Sequence, residues 1–314
     1  MNEVDRLPRT LDFRSLDFER LWSGREKTTE VERRVVRESL REKDHRRILE
    51  VGPGGGRIAS TLLAMSPEFV GVDVTLEFVT RLRARWPGEG IWLAADLARL
   101  PLESQSFSGA VLVRVYNFLA DPTASLRELY RVLVPGGWLL VSYFSEPSIP
   151  TVWEDIRGRL RRPEGSRTTR RAATAYRPSL PSRDRFRSTV ESVGFRWDTE
   201  CSVGLEDLRP FRWLPADLLL SLGRTFGTSG ILPHHFALAR KPGKLPSRLP
   251  PIESILLCPA CGASVAGLAT GDLRDPSCPQ CGRGLPVVQG VPDLRPQSPS
   301  HGEAEPEAIQ VLAP

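Results

Sequence analysis

Four cysteines near the C-terminus carry the plainest chemistry in this chain. They read Cys258-Pro259-Ala260-Cys261 and Cys278-Pro279-Gln280-Cys281, with sixteen residues between the pairs. Two short turns that each present two thiolates complete a closed tetrahedral S4 site suited to zinc. Such a site keeps no open coordination position, so the metal expected here is structural and performs no catalysis. Pro259 and Pro279 stiffen the two turns, and Gly262 and Gly282 relieve the backbone after each. The fifth cysteine, Cys201, falls in an expected strand and reads as a buried apolar residue.

A second group lies far upstream. An apolar run ends in Glu50-Val51-Gly52-Pro53-Gly54-Gly55-Gly56-Arg57. Glycines there let the chain turn sharply from strand to helix and let a ligand approach the main chain. Asp73 ends the next apolar run and Asp96-Leu97 the one after it. A carboxylate at the first place can accept hydrogen bonds from two ribose hydroxyls. At the second it can meet an exocyclic amine, with Leu97 beside the ring. Alone, Gly54-x-Gly56-x-x-Ala59 also fits a dinucleotide fingerprint, and Asp96 alone fits a cap or turn.

The elements that must position these residues alternate. Strands are expected at Ile48–Val51, Phe69–Val74, Ile91–Ala95, Gly109–Val115 and Trp138–Phe144, with helices near Arg57–Met65, Leu76–Trp86 and Thr123–Leu133. That alternation implies a parallel sheet covered on both faces. Val31, Val35, Val36 and Leu40 suit an amphipathic helix feeding the first strand, within a charged N-terminal segment over 1–45. Trp22 in that segment reads as a hydrophobic anchor rather than a cover for the ligand. The stretch Glu146–Pro181 is a Pro-, Arg- and Ser-rich excursion with a short helix around Val152–Leu160. A helix at Arg183–Val193, a strand at Phe195–Val203, irregular or helical cover over Leu205–Pro233 and a last strand at His234–Arg240 follow. Residues 242–251 read as a linker, 252–295 as the cysteine module, and 296–314 as a disordered tail.

Composition bounds the reading. Hydrophobic content of 40% and charged content of 26% belong to a soluble globular protein. There is no signal-peptide pattern and no apolar run near 18 residues, which argues for a cytoplasmic protein. Thr151–Val190 holds eleven arginines and four carboxylates, a balance that can steer an anionic partner such as RNA, a phosphorylated metabolite or a lipid headgroup. The chain has 39 arginines against four lysines, so a general arginine bias explains the same stretch.

Taken in order, Ile48-Leu49-Glu50-Val51-Gly52-x-Gly54-x-Gly56, Val70-Gly71-Val72-Asp73, Ala95-Asp96 and Arg131-Val132-Leu133-Val134-Pro135-Gly136-Gly137 resemble the class I S-adenosylmethionine-dependent methyltransferases, of the broad metabolic branch. The resemblance covers roughly 45–145 and resumes to about 240. It implies an α/β fold over 46–241, a Rossmann-like seven-stranded sheet of order 3-2-1-4-5-7-6 with the seventh strand antiparallel. It implies that Glu50, Gly52, Gly54 and Gly56 hold the methionine part, Asp73 the ribose, and Asp96 with Leu97 the adenine. Two departures stand out. Phe107-Ser108-Gly109 replaces the usual Phe-Asp, and no histidine stands near Asn117 or Phe118, so a histidine base is not carried over. Methyl transfer needs alignment more than a base. Tyr116, Asn117 and Tyr143 are the candidates for acceptor contact, each with packing as the alternative, and His234 and His235 read as structural.

The cysteine module has its own likeness. Ile255-Leu256-Leu257-Cys258 and Leu285-Pro286-Val287-Val288-Gln289-Gly290-Val291-Pro292-Asp293-Leu294 resemble the small zinc-binding activator subunits of tRNA, rRNA and release-factor methyltransferases. The likeness implies a zinc ribbon that docks in cis by extending the sheet and stabilises the enzyme. The function expected is methyl transfer to a small-molecule or lipid-like acceptor. RNA or a translation protein is the second acceptor reading, and a catalytically silent binding scaffold the third.

Overall fold

The computed structural model describes residues 22–145, 180–207, 211, 213–226, 232–268 and 276–296. The excursion around Val152–Leu160, the first 21 residues of the N-terminal segment and the tail from 297 lie outside the described residues. The described chain begins with helix α1 (Glu26–Leu40) and then alternates: β1 (Arg47–Val51), α2 (Ala59–Leu63), β2 (Glu68–Asp73), α3 (Leu76–Arg85), β3 (Ile91–Ala94), β4 (Phe107–Leu112), α4 (Pro122–Val132) and β5 (Leu133–Phe144). It continues through α5 (Arg183–Ser192), β6 (Arg196–Val203), α6 (Ala216–Phe226) and β7 (His234–Arg240) to a short hairpin, β8 (Val287–Val288) and β9 (Val291–Pro292). The large sheet has the order β3-β2-β1-β4-β5-β7-β6. Strands β1 to β5 pair in parallel, and β7 is antiparallel to both neighbours.

Two apolar layers explain why the central strands read as continuous hydrophobic runs. Side chains alternate across each strand. Leu49, Ala110, Leu112, Leu139 and Val141 face the layer formed by α4 and α5. Ile48, Val111, Leu140 and Leu238 face the layer of α1, α2, α3 and α6. Among the described residues no helix is long and apolar enough to cross a membrane.

The replacement of the usual acid by Ser108-Gly109 has a packing reason. Gly109 pairs with Trp138 on β5, and a Cβ on Gly109 would lie 2.0 Å from the indole ring. The Trp138 Nε1–H donates to the Asp44 carbonyl at 2.8 Å. Ser108 Oγ accepts from Arg47 N and donates to Arg47 O, pinning β1 to β4. β5 starts five residues earlier than expected, because Leu133 already pairs with Phe107 at the start of β4 and the Pro135-Gly136-Gly137 turn is absorbed as an irregularity. β4 ends earlier than expected, because Arg114 turns the chain with φ +61°.

The linker is fastened to the sheet. Arg46 donates to the carbonyls of Pro246 and Ser247, and the buried Arg47 donates to those of Pro250 and Ser106. Downstream, Leu256 bridges Leu102, with Leu257 N–H donating to Pro101 O and Glu103 N–H to Ile255 O. Asp293 bridges Ala94 in parallel, and Leu294 N–H donates to Ala94 O at 2.8 Å. Strand β9 therefore covers part of the free edge of β3, the kind of edge that otherwise leaves backbone groups unpaired. Ile255, Leu256, Val265, Leu268, Leu285 and Leu294 join the same apolar cluster as Leu93, Leu97 and Leu102.

Candidate functional site

At the carboxyl end of β1 the chain makes its sharpest turn. Gly52, Gly54 and Gly56 have φ of +68°, +51° and +76°, a region that side-chain-bearing residues avoid. A Cβ on Gly52 would lie 2.4 Å from Val115 Cγ2, and one on Gly56 would meet Leu82 and Trp86 within 2.8 Å. The turn is a tight backbone cradle between the loop after β4 and α3.

Three carboxyl groups stand along this edge. Glu50 is 3% exposed, and its Oε2 has no hydrogen-bond partner among the described residues. Burial pushes its pKa up to about 8, with Arg57 pulling down and Asp73 pushing up. Asp73 accepts from Gly54 N–H at 3.3 Å and Thr75 N–H at 2.9 Å. Burial pushes it up to about 6 against those donors. Asp96 follows β3 and accepts from Ala98 N–H at 2.8 Å, capping the short turn that carries the buried Leu97. That turn is held from α4. Arg131, from the Arg-Val-Leu run, donates to the carbonyls of Leu100 and Leu102, and Glu128 accepts from Leu100 N–H. Glu50, Asp73 and Asp96 thus stand near the carboxyl ends of three neighbouring strands, each stepped two residues further along than the last. Such a row can accept hydrogen bonds from a hydroxylated, amine-bearing ligand lying across the strand ends.

The three candidates for acceptor contact are spent on packing in this structure. The Tyr143 ring is fully buried, stacks on Phe186 at 3.7 Å, and donates its hydroxyl to Glu200 at 2.6 Å. Burial and Glu200 hold its phenol well above the ordinary value. Burial alone would raise Glu200, but hydrogen bonds from His235, Tyr143 and Arg183 outweigh it and keep the carboxyl below its usual value. Tyr116 is 3% exposed with its edge on Phe186. Asn117 donates to Phe144 O and accepts from Phe144 N–H, tying the loop after β4 to the end of β5. His235 hydrogen-bonds Ser145 and Ser202 and is fully buried. Cys201 is half-buried rather than buried.

Sequence reasoning left Glu32, Arg57 and Arg114 without a role. The structure brings them together beside the glycine turn, with the Glu32 carboxylate fully buried against both arginines. The signal was present in α1, where Glu32 falls on the face of Val35, Val36 and Leu40.

The cysteine centre is built twice from one turn. Cys258 N–H donates to Ala263 O and Gly262 N–H to Cys258 O; Cys278 N–H donates to Arg283 O and Gly282 N–H to Cys278 O. Gly262 and Gly282 have φ of +76° and +71°. The four sulfurs lie within 4.8 Å of one another, with Cys258–Cys281 at 3.8 Å and Cys261–Cys278 at 3.5 Å. A tetrahedron with Zn–S bonds of about 2.3 Å has edges of roughly 3.8 Å, so the donor set and its size fit zinc.

A family profile described as "Methyltransferase domain" matches residues 49–141, the segment from β1 to β5 that carries the glycine turn and all three acids. The chain is 32% identical over 162 residues to the ubiquinone/menaquinone biosynthesis C-methyltransferase UbiE of Syntrophotalea carbinolica, spanning 48% of this chain and 68% of that protein. It is 35% identical over 120 residues to the demethylmenaquinone methyltransferase of Thermus thermophilus, spanning 37% of this chain and 54% of that one. Among solved structures, a chain from the complex of the Haloferax volcanii Trm112 methyltransferase activator with a methyltransferase aligns at a TM-score of 0.50 and 18% identity, covering 72% of this chain and 96% of that chain. That likeness concerns the fold. Fold, site and relatives together define a methyltransferase of the Rossmann-like class. The chain belongs to the class I S-adenosylmethionine-dependent methyltransferase family.

Proposed function

We propose that this enzyme methylates a ring carbon of a quinone-type, lipid-like small molecule. The observation that carries the reading is the 32% identity to a quinone-pathway C-methyltransferase across 68% of that relative's length. S-Adenosylmethionine supplies an activated methyl on a sulfonium. The acceptor ring carbon would take that methyl in exchange for its proton, which passes to solvent. A reduced quinone is already nucleophilic beside its hydroxyl, so the protein's work is to align the two partners and exclude water.

The chain's residues fit the cofactor. Gly52, Gly54 and Gly56 hold a left-handed turn that exposes main chain beside the acids, and the unpaired Glu50 Oε2 faces the loss of its charge unless a cation or donor arrives. On this reading Glu50 and the three glycines hold the methionine part. Asp73 receives the ribose hydroxyls with its remaining lone pairs, and Asp96 with Leu97 frames the adenine. The cysteine module (252–295) holds a structural zinc through Cys258, Cys261, Cys278 and Cys281 and stabilises the catalytic domain (46–241) in cis. The backbone bonds at Leu256 and Leu294 and the shared apolar cluster support that division of labour.

The test uses the full, zinc-supplemented chain with methyl-labelled cofactor, offered a reduced demethylated quinone in detergent and, separately, total RNA. The expected result is label on a ring carbon, located by mass spectrometry, and none on RNA. Label on RNA alone, or on neither, would sink the reading.

A further inference from the structure

Glu32 sits on the apolar face of α1 with its carboxylate fully buried. Its Oε1 accepts from Arg114 Nε at 2.8 Å and Nη2 at 2.7 Å, and its Oε2 meets Arg57 Nη1. The Trp22 ring lies against both guanidinium groups, 3.8 Å from Arg57 and 4.8 Å from Arg114. Arg57 directly follows the glycine run, and Arg33 fixes its carbonyl at 2.7 Å. Arg114 is held at φ +61° by its N–H donating to Ser142 Oγ at 2.8 Å. A left-handed arginine is strained backbone, and strain of that kind persists where the surroundings impose it.

Without ligand the charges do not balance. Two guanidinium groups meet one carboxylate, Glu32, while the nearby Glu50 is held mostly protonated by burial. His234 stands 3.4 Å from Glu32 Oε1, stacked on Phe144, and burial keeps its ring neutral. One positive charge is left over. The arginine side chains are 14% and 17% exposed while Glu32 is sealed, so the surplus faces outward. A buried glutamate needs one guanidinium to be paired; the second, on strained backbone, goes beyond what the ion pair requires.

Its place along the sheet says what the surplus is for. Read along the strand ends, the groups are Asp96 after β3, Asp73 on β2, Glu50 on β1 and Arg114 after β4. Val115, the neighbour of Arg114, packs on Gly52. Charge therefore changes sign between β1 and β4. S-Adenosylmethionine has the same polarity, with ring amine and ribose hydroxyls at one end and a free carboxylate at the other. Paired arginines are suited to a planar carboxylate.

We propose that Arg57 and Arg114, held by Glu32 around the Trp22 ring, form the subsite for the methionine carboxylate of the cofactor. This rests on the reading that the cofactor lies along the β3-to-β4 edge. The test measures binding of S-adenosylhomocysteine and of 5'-methylthioadenosine to the full chain by calorimetry; the second ligand lacks the amino-acid portion. Arg114→Gly suits the left-handed backbone and removes the guanidinium. It is expected to weaken S-adenosylhomocysteine by about ten- to a hundredfold, the range of a lost charge-assisted hydrogen bond, and to leave methylthioadenosine within about threefold. Arg57→Gln is expected to act in the same direction. If both ligands weaken equally, or neither does, while Asp73→Ala weakens both, the carboxylate subsite is wrong and the cofactor edge stands. If Asp73→Ala leaves both ligands unchanged, the edge itself is wrong and the proposal falls with it.

Discussion

Glu50 offers the sharpest test of the cofactor reading, because its protonation is measurable. Without ligand its pKa stands at about 8, raised by burial. At pH 7 about nine-tenths of the molecules then hold a proton there, by simple titration. A bound sulfonium and ammonium favour the carboxylate and release that proton. Calorimetry at pH 7 in two buffers of different ionisation heat is therefore expected to count close to one proton released per cofactor bound. Affinity is expected to rise almost tenfold per pH unit between about pH 6.5 and 7.5. Glu50→Gln removes both the proton release and the slope. The stability of the ligand-free protein moves the other way. A carboxyl raised from 4.5 to about 8 adds stability below pH 4.5 that is lost as pH rises through 8. The gap corresponds to at most roughly 5 kcal/mol, at about 1.4 kcal/mol per tenfold. Glu50→Gln is thus expected to melt higher than wild type at pH 8.5 while binding cofactor worse. If proton release at pH 7 is the same in wild type and variant, Glu50 does not face the cofactor.

Three further outcomes follow from the packing. Leu256→Ala removes a fully buried side chain where the cysteine module bridges Leu102; a loss of about 2–5 kcal/mol is expected in urea unfolding with one zinc per chain retained. An unchanged midpoint with metal still bound would mean that the module does not support the domain. Gly109→Ala drives a methyl into the Trp138 ring and is expected to lower stability by about 1–3 kcal/mol or more. Trp138→Leu in the same chain should recover part of that loss, and a double variant no better than Gly109→Ala would refute the explanation. Tyr143→Phe should lower stability by about 1–3 kcal/mol by leaving Glu200 short of a donor. Turnover should change less than threefold, and a collapse of turnover in a folded variant would make Tyr143 catalytic after all.

The strand–helix alternation and the acid at each strand end were legible from local pattern, while the sheet order came with the resemblance to class I methyltransferases. Apolar runs of strand length, each closed by glycine or a carboxylate, fix where a parallel sheet presents its carboxyl edge. The four-cysteine cluster was legible for the same reason, since each Cys-x-x-Cys turn is local. What the sequence hid was long-range. Tyr143 looks available at the end of β5, yet Phe186, forty-three positions on, covers its ring and Glu200 takes its hydroxyl. The Ser108-Gly109 departure looked like a lost acid until Trp138 was placed across from it. Arg114 gave no sign of left-handed backbone, because only its partners Glu32 and Ser142 hold it there.

The ends of the chain matter for a geometric reason. The family match covers residues 49–141 and so contains Glu50, Asp73 and Asp96 but not the segments packed beside them. β3 has four residues and is the last strand of the sheet on that side, where a short strand frays most easily. The C-terminal segment supplies what that edge lacks: Leu294 pairs with Ala94, and Arg295 reaches the Val74 carbonyl at 3.3 Å, one residue beyond Asp73. At the opposite end α1 supplies Glu32 and Trp22 to Arg57 and Arg114. The backbone that carries Asp73 is thereby tied to the segment that holds the four cysteines. If Asp73 and the glycine turn hold the cofactor as proposed, order at the ribose end would depend on the cysteine module and order at the methionine end on the N-terminal helix. A cofactor that spans both ends should feel the loss of either, although neither lies in the segment that defines the family.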